Sequence, residues 1–216
     1  MNVKYISEFI GSFFLVSVVV GSGIMAENLA EGNLAIALLG NTIATGAILF
    51  VLINMFGSIS GAHFNPAVSI LMYLLNELDI KSLIKFIFFQ ILGGMLAIII
   101  THYIFEIKLF QISSNARGEF PLLVSEIIAT CGLLLTILFV RKSNPNSVGT
   151  AVALFITAGY WFTSSTSFAN PMVTLARIFT NTFTGIAPES VPYFISGQII
   201  AIFFSKYIYG KFKERV

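Results

Sequence analysis

Asn65-Pro66-Ala67 and Asn170-Pro171-Met172 are the segments of this chain best suited to act on another molecule, and their chemistry is polar contact rather than covalent catalysis. Asn caps a helix through its side-chain oxygen and Pro suits the first helical turn, so each Asn-Pro opens a helix at a defined point. A helix N-terminus carries about half a positive charge. Two such openings facing one another form a barrier to cations and protons, while the Asn amides can hydrogen-bond an uncharged solute. No Ser–His–Asp set and no Cys/His ligand cluster is visible, and Cys131 is the single cysteine. No catalytic residue, metal site, cofactor or internal disulfide is therefore expected.

The elements that hold these residues are membrane helices. Of 216 residues, 56% are apolar and only 10% are charged, with a mean hydropathy of +0.90. An ordinary soluble domain carries about a quarter charged residues. The lipid bilayer is thus the expected main solvent, which excludes a cytosolic enzyme, a disordered protein and a nucleic-acid partner; a net charge of +2 is too small to suggest a polyanion. No cleavable leader is expected, because the first apolar run follows a single Lys4 and opens with Glu8. Full spans are predicted near 5–26, 34–56, 84–105, 121–140, 147–166 and 190–209. They show no period-2 alternation, so helices rather than barrel strands cross the membrane.

Two stretches exceed a simple span count. Gly32 to Asn76 and Ser143 to Ala176 contain no Asp, Glu, Lys or Arg, and each is longer than the ~20 residues of one crossing. Each reads as a full helix, a Gly/Ser/Thr-rich break and a short apolar segment opening with Asn-Pro. For the first, the break is expected at Gly57, Ser58, Ser60 and Gly61, with carbonyls facing a pore. A segment of about 10 residues reaches half-way through the core, so both are predicted to be re-entrant half-helices.

Charge orients the chain. Lys4, Lys81, Lys85, Arg141, Lys142, Lys211, Lys213 and Arg215 mark the cytoplasmic side, against Glu27, Glu31, Glu106 and Glu119 with only Lys108 and Arg117 opposite. Both termini come out in the cytoplasm, for a multi-pass protein of the cell inner (plasma) membrane. The halves also resemble each other. Ser7-Glu8-Phe9-Ile10-Gly11 matches Ser125-Glu126-Ile127-Ile128-Ala129, the two Asn-Pro segments match, and Phe89-Gln90-Ile91-Leu92 is echoed by Gly197-Gln198-Ile199-Ile200. Each half holds three crossings, so the repeats (about 1–112 and 113–216 of one channel domain, 1–216) insert upside down relative to each other. Inverted repeats with matched breaks place a solute pathway near the midplane.

Ser60-Gly61-Ala62-His63-Phe64-Asn65-Pro66-Ala67-Val68 resembles the first signature of the aquaporin (major intrinsic protein) family, and Ser167-Phe168-Ala169-Asn170-Pro171 stands where the second belongs. The resemblance covers the whole chain. It implies an all-α membrane protein of six transmembrane helices and two half-helices, and a homotetramer with one pore per subunit. The family usually carries Asn-Pro-Ala-Arg at the second signature, whereas Val173 occupies that Arg position here and Arg177 follows one turn later. The other filter positions, carried over by spacing from the two Asn, are Thr45, Ala158 and Ser167. All are small or uncharged, unlike the aromatic and His of water-selective members. The pattern is similar to the aquaglyceroporin-like branch found with bacterial arsenic-resistance genes. It implies a widened filter passing small neutral solutes: glycerol, trivalent metalloid hydroxides such as arsenite, and water. A water-selective aquaporin is the rival within the family. An ion-coupled transporter is the rival outside it, and it lacks any Asp within a span to serve as a coupling site.

Other residues have quieter expectations. His63 and Gly61 are read as pore-lining, and Glu8 and Glu126 as scaffolds accepting hydrogen bonds from the irregular loops, with Gln90 and Gln198 acting similarly between helices. Arg177 is expected to anchor its half-helix on a loop carbonyl or acid; the alternative is a cation restored near the mouth. Tyr160 and Trp161 are interface-belt residues or narrow the mouth, and His102 is interfacial.

Overall fold

A computed structural model describes residues 2–213. Helix α1 (Val3–Leu29) and α2 (Leu34–Ser60) start on Asn caps: Asn2 Oδ1 accepts from Lys4 N at 3.1 Å, and Asn33 Oδ1 from Ala35 N at 3.1 Å. The half-helix α3 (Pro66–Leu74) follows, then α4 (Ile80–Ile104), capped by Asp79. Hydrogen bonds from the Ser82 hydroxyl and N–H hold the exposed Asp79 carboxyl below its usual range. The second half runs α5 (Phe120–Ser143), a 3-10 turn at Pro145–Ser147, α6 (Val148–Phe162), the half-helix α7 (Pro171–Ala176), and α8 (Val191–Lys213). Arg215, assigned to the cytoplasmic side by charge, lies outside the described residues.

Six crossing helices and two short ones match the expected architecture; most helices run three or four residues beyond the expected spans, and two ends differ in an informative way. Helix α2 continues through Gly57, Ser58 and Ser60 and stops only at Gly61, whose φ of 89° makes the left-handed cap; its N–H bonds Gly57 O at 3.1 Å. The break therefore begins at Gly61, because apolar Phe56 and Ile59 keep the turn before it helical. Helix α6 ends at Phe162 rather than near 166. Thr163 Oγ1 donates to Gly159 O at 2.7 Å and also accepts from Ser167 N at 2.9 Å, so the Thr163–Thr166 hydroxyl run competes with the helical ladder. At 15 residues α6 is about 22 Å long. Five other helices are long and apolar enough to cross a membrane, and the chain is a multi-pass membrane protein.

Packing repeats between the halves. Helix α1 lies against α2 and α4 as α5 lies against α6 and α8, and α2 meets α6 across the centre. Half-helices α3 and α7 each pack on both α4 and α8, and they touch each other. Close approach of backbones permits this: a Cβ on Gly93 would run into the Phe9 carbonyl oxygen, and one on the matching Gly197 would stand 2.6 Å from Leu123 O. Large apolar residues such as Ile84, Phe88, Phe203 and Phe204 are exposed outward, as helices solvated by lipid require.

Candidate functional site

Each half-helix starts on its Asn, and each Asn also reaches the other loop. Asn65 Oδ1 accepts from Ala67 N at 2.8 Å and Asn170 Oδ1 from Met172 N at 3.0 Å. Asn65 Nδ2 donates to Ala169 O at 2.7 Å and Asn170 Nδ2 to Phe64 O at 2.9 Å. The helix tips are thus tied together by a reciprocal pair of bonds. An Asn amide has two N–H groups, so one on each remains for a solute. Pro66 and Pro171 occupy the first helical turns, while Ala67 and Met172 are buried behind them, Met172 against Gly94 of α4.

The loops leading to the tips adopt the same strained form twice. Ala62 and Phe64 have φ of 50° and 46°; Ser167 and Ala169 have 48° and 47°. Such left-handed non-Gly residues cost about 1–3 kcal/mol each and persist only where surroundings hold them. Glu8 does so in the first loop, accepting from His63 N at 3.0 Å and Phe64 N at 2.7 Å, together with Ser60 Oγ at 2.6 Å and Gln90 Nε2 at 2.7 Å. Glu126 accepts from Phe168 N at 3.0 Å, Ala169 N at 2.8 Å and Gln198 Nε2 at 2.6 Å. Both carboxylates are fully buried, and every group converging on them is a donor.

One cavity of about 690 Å³ runs beside the tips. Arg141 and Asn146 line one end, Gly61, His63, Asn65 and Asn170 the middle, and Thr45, Tyr160, Ser167, Val173 and Arg177 the other. Leu15, Val19, Leu49, Val152 and Ile156 add apolar lining to these polar groups. His63 holds Ser69 Oγ at 3.0 Å through Nδ1 and lines the cavity with its ring. At the first end, Arg141 makes a bidentate pair with Glu77, at 2.7 and 2.9 Å.

The filter set needs one correction. Thr45, Ser167 and Val173 face the cavity together, but Ala158 is exposed on the far side of α6. The cavity face of α6 runs Gly149, Val152, Ile156, Tyr160 at helical spacing, and Ala158 sits about 200° round from its neighbours on that face. Tyr160 lines the cavity instead, only 4% exposed, its hydroxyl 3.1 Å from Thr45 Oγ1; the adjacent Trp161 is 51% exposed. The 3.6-residue period of α6 selects Tyr160, which spacing from the two Asn alone does not. His102 is likewise not interfacial. It is buried, with Nδ1 2.9 Å from Leu109 O and Nε2 2.9 Å from Thr180 Oγ1, because the loops after α4 and α7 fold over it. Arg177 Nε donates to Thr184 O, and its guanidinium lies 3.5 Å from the Phe168 ring centroid. Arg117, passed over as a loop charge, packs near the same ring at 5.2 Å, and burial pulls it down to about 10, still cationic at neutral pH.

Two short helices entering from opposite faces, tied tip to tip beside a cavity half polar and half apolar, define a membrane channel. The chain belongs to the major intrinsic protein family, whose model matches residues 2–164. It is 44% identical over 197 residues to "Aquaglyceroporin AqpS" of Rhizobium meliloti (strain 1021), covering 91% of this chain and 84% of that protein. It is 31% identical over 167 residues to "Aquaporin Z" of Photorhabdus laumondii, covering 70% and 71%. The X-ray structure of the aquaglyceroporin from Plasmodium falciparum shares the fold, with a TM-score of 0.75 over 99% of this chain and 95% of that one at 24% identity. Channels of this family pass water and small solutes and are not enzymes.

Proposed function

We propose that this channel passes small uncharged solutes passively, glycerol and trivalent metalloid hydroxides such as arsenite among them, along with water. The observation that carries the reading is Val173 on the cavity wall: a short apolar side chain, 5% exposed, lining the same cavity as the small Thr45 and Ser167. A polyol needs both faces such a wall offers, donors and acceptors for its hydroxyls and apolar surface for its carbons. The similarity to a protein named an aquaglyceroporin supports the same reading. Asn65 and Asn170 offer their remaining N–H groups to the solute. His63 and Gly61 line the approach, Glu8 and Glu126 hold the loops, and Arg177 anchors the second half-helix. The repeats meet near residue 112, both termini face the cytoplasm across the inner membrane, and the chain assembles in lipid as a homotetramer.

One observation favours the narrower, water-selective reading: Tyr160 brings an aromatic ring to the wall that Ala158 was expected to form. Coupled transport finds less support, since both buried carboxylates are saturated by loop donors. Stopped-flow measurement of water, glycerol and arsenite in proteoliposomes separates these readings. Wild type should pass all three, and Val173→Arg should lower glycerol and arsenite flux before water. Water passage with exclusion of glycerol and arsenite would refute the widened filter. Flux that follows an imposed proton or sodium gradient would refute passive conduction.

A further inference from the structure

Two guanidiniums stack near Phe168 at one end of the cavity, Arg177 lining it and Arg117 off its wall, and neither pairs with a carboxylate among the described residues. Three consecutive carbonyls carry them: Arg117 Nε donates to Gly185 O at 2.7 Å and its Nη2 to Phe183 O at 3.2 Å, while Arg177 Nε takes Thr184 O between them. The acids nearby are engaged elsewhere, Glu27 by Phe183 N at 3.2 Å and Glu126 by Phe168 N and Ala169 N. Among the described residues the one Lys/Arg–carboxylate pair is Arg141–Glu77, at the opposite mouth. Arg177 is only 3% exposed, yet it lines the cavity, and its Nη groups have no protein acceptor among the described residues. A guanidinium has five N–H donors and keeps its proton in proteins, so the four left over must be met from the lumen.

Val173 and Arg177 stand four residues apart on the same continuing half-helix and line the same cavity. We infer that Arg177 supplies the fixed cation of this pore from one turn beyond the position where the family carries it, so that width and charge rejection are set by different residues. The inference rests on the neutral-solute reading above. With Val173, Thr45 and Ser167 on the cavity wall, no guanidinium stands at position 173 itself. The charge sits further out, stacked on Phe168, where it repels cations and offers donors to an arriving solute. A unit charge ~6 Å from a permeating cation, at an effective dielectric constant of about 20, lowers cation occupancy by about a hundredfold.

Urea and guanidinium, planar and close in size but differing in charge, isolate this effect. Fluxes of both, with glycerol, are measured in proteoliposomes holding wild type, Arg177→Gln or the Arg177→Gln/Val173→Arg double variant. Wild type should pass urea and glycerol and exclude guanidinium. Arg177→Gln should lower the urea-to-guanidinium ratio at least tenfold, and the added arginine at 173 should restore it while reducing glycerol flux. An Arg177→Gln channel that conducts urea with the wild-type ratio overturns the inference. If that variant does not assemble, Arg177→Lys carries the test: guanidinium exclusion kept at the wild-type ratio supports a role for charge, and exclusion lost with urea flux intact overturns it. Wild type that passes neither glycerol nor urea refutes the neutral-solute reading itself, a result distinct from either.

Discussion

Removing the Glu8 carboxylate tests how the first loop is held. Glu8→Ala leaves the N–H groups of His63 and Phe64, bonded at 3.0 and 2.7 Å, without their acceptor, a carboxylate that is itself fully buried. A buried orphan donor costs about 1–3 kcal/mol, so the two together cost about 4 kcal/mol. Gln90 keeps its second bond, to Ser69 Oγ at 3.0 Å, and the Ser60 hydroxyl can turn, so neither adds much. The loop has a cheaper way out. Ala62 and Phe64 hold left-handed strain of about 1–3 kcal/mol each, released once nothing fixes them. The variant should therefore relax locally, withdrawing Phe64 O from Asn170 and Asn65 Nδ2 from Ala169 O, and lose conduction as well as stability. Glu8→Gln keeps the volume but turns one amide N–H₂ toward a pair of donors, and should cost about half as much, ~2 kcal/mol. Unfolding in mixed micelles titrated with SDS, beside glycerol flux per inserted protein, measures both. Equal unfolding midpoints and equal flux for wild type, Glu8→Gln and Glu8→Ala would show that the carboxylate does not hold the loop.

Three further outcomes follow from the same geometry. Tyr160→Ala opens the wall beside Thr45 and should raise flux of a four-carbon polyol several-fold over wild type; an unchanged size cut-off would return the constriction to other residues. Asn170→Asp sets a carboxylate oxygen against Phe64 O, now an acceptor 2.9 Å from an amide N–H, and should cost about 2–4 kcal/mol in the SDS titration, with an unshifted midpoint contradicting the tip-to-tip bond. Gly93→Ala places a methyl on the Phe9 carbonyl and should destabilise the α1–α4 contact by about 1–3 kcal/mol, with Gly197→Ala acting alike at α5–α8; variants as stable as wild type would show that these backbones can part freely.

The half-helices were legible in the chain because their signals are local. An Asn before a Pro caps and starts a helix wherever it stands, and a charge-free run twice the length of a crossing must fold back within the membrane. The matched Glu positions followed from the repeat, and they accept the loop N–H groups at residues 63 and 64 and again at 168 and 169. Helix limits were less legible. Gly57, Ser58 and Ser60 look like breakers by type, yet α2 winds on through them to Gly61.

What composition and order determined alone was a bilayer protein of six crossings and two inverted short helices, since hydropathy, capping and repetition need no partner to be read. The wall of the pore was decided only by tertiary packing. A helix's rotation about its own axis depends on every neighbour it touches, and a shift of two residues turns a side chain to the opposite side. Packing put Tyr160 in the cavity and Ala158 outside, folded two loops over His102, and laid Arg177 across Phe168 at the cavity wall.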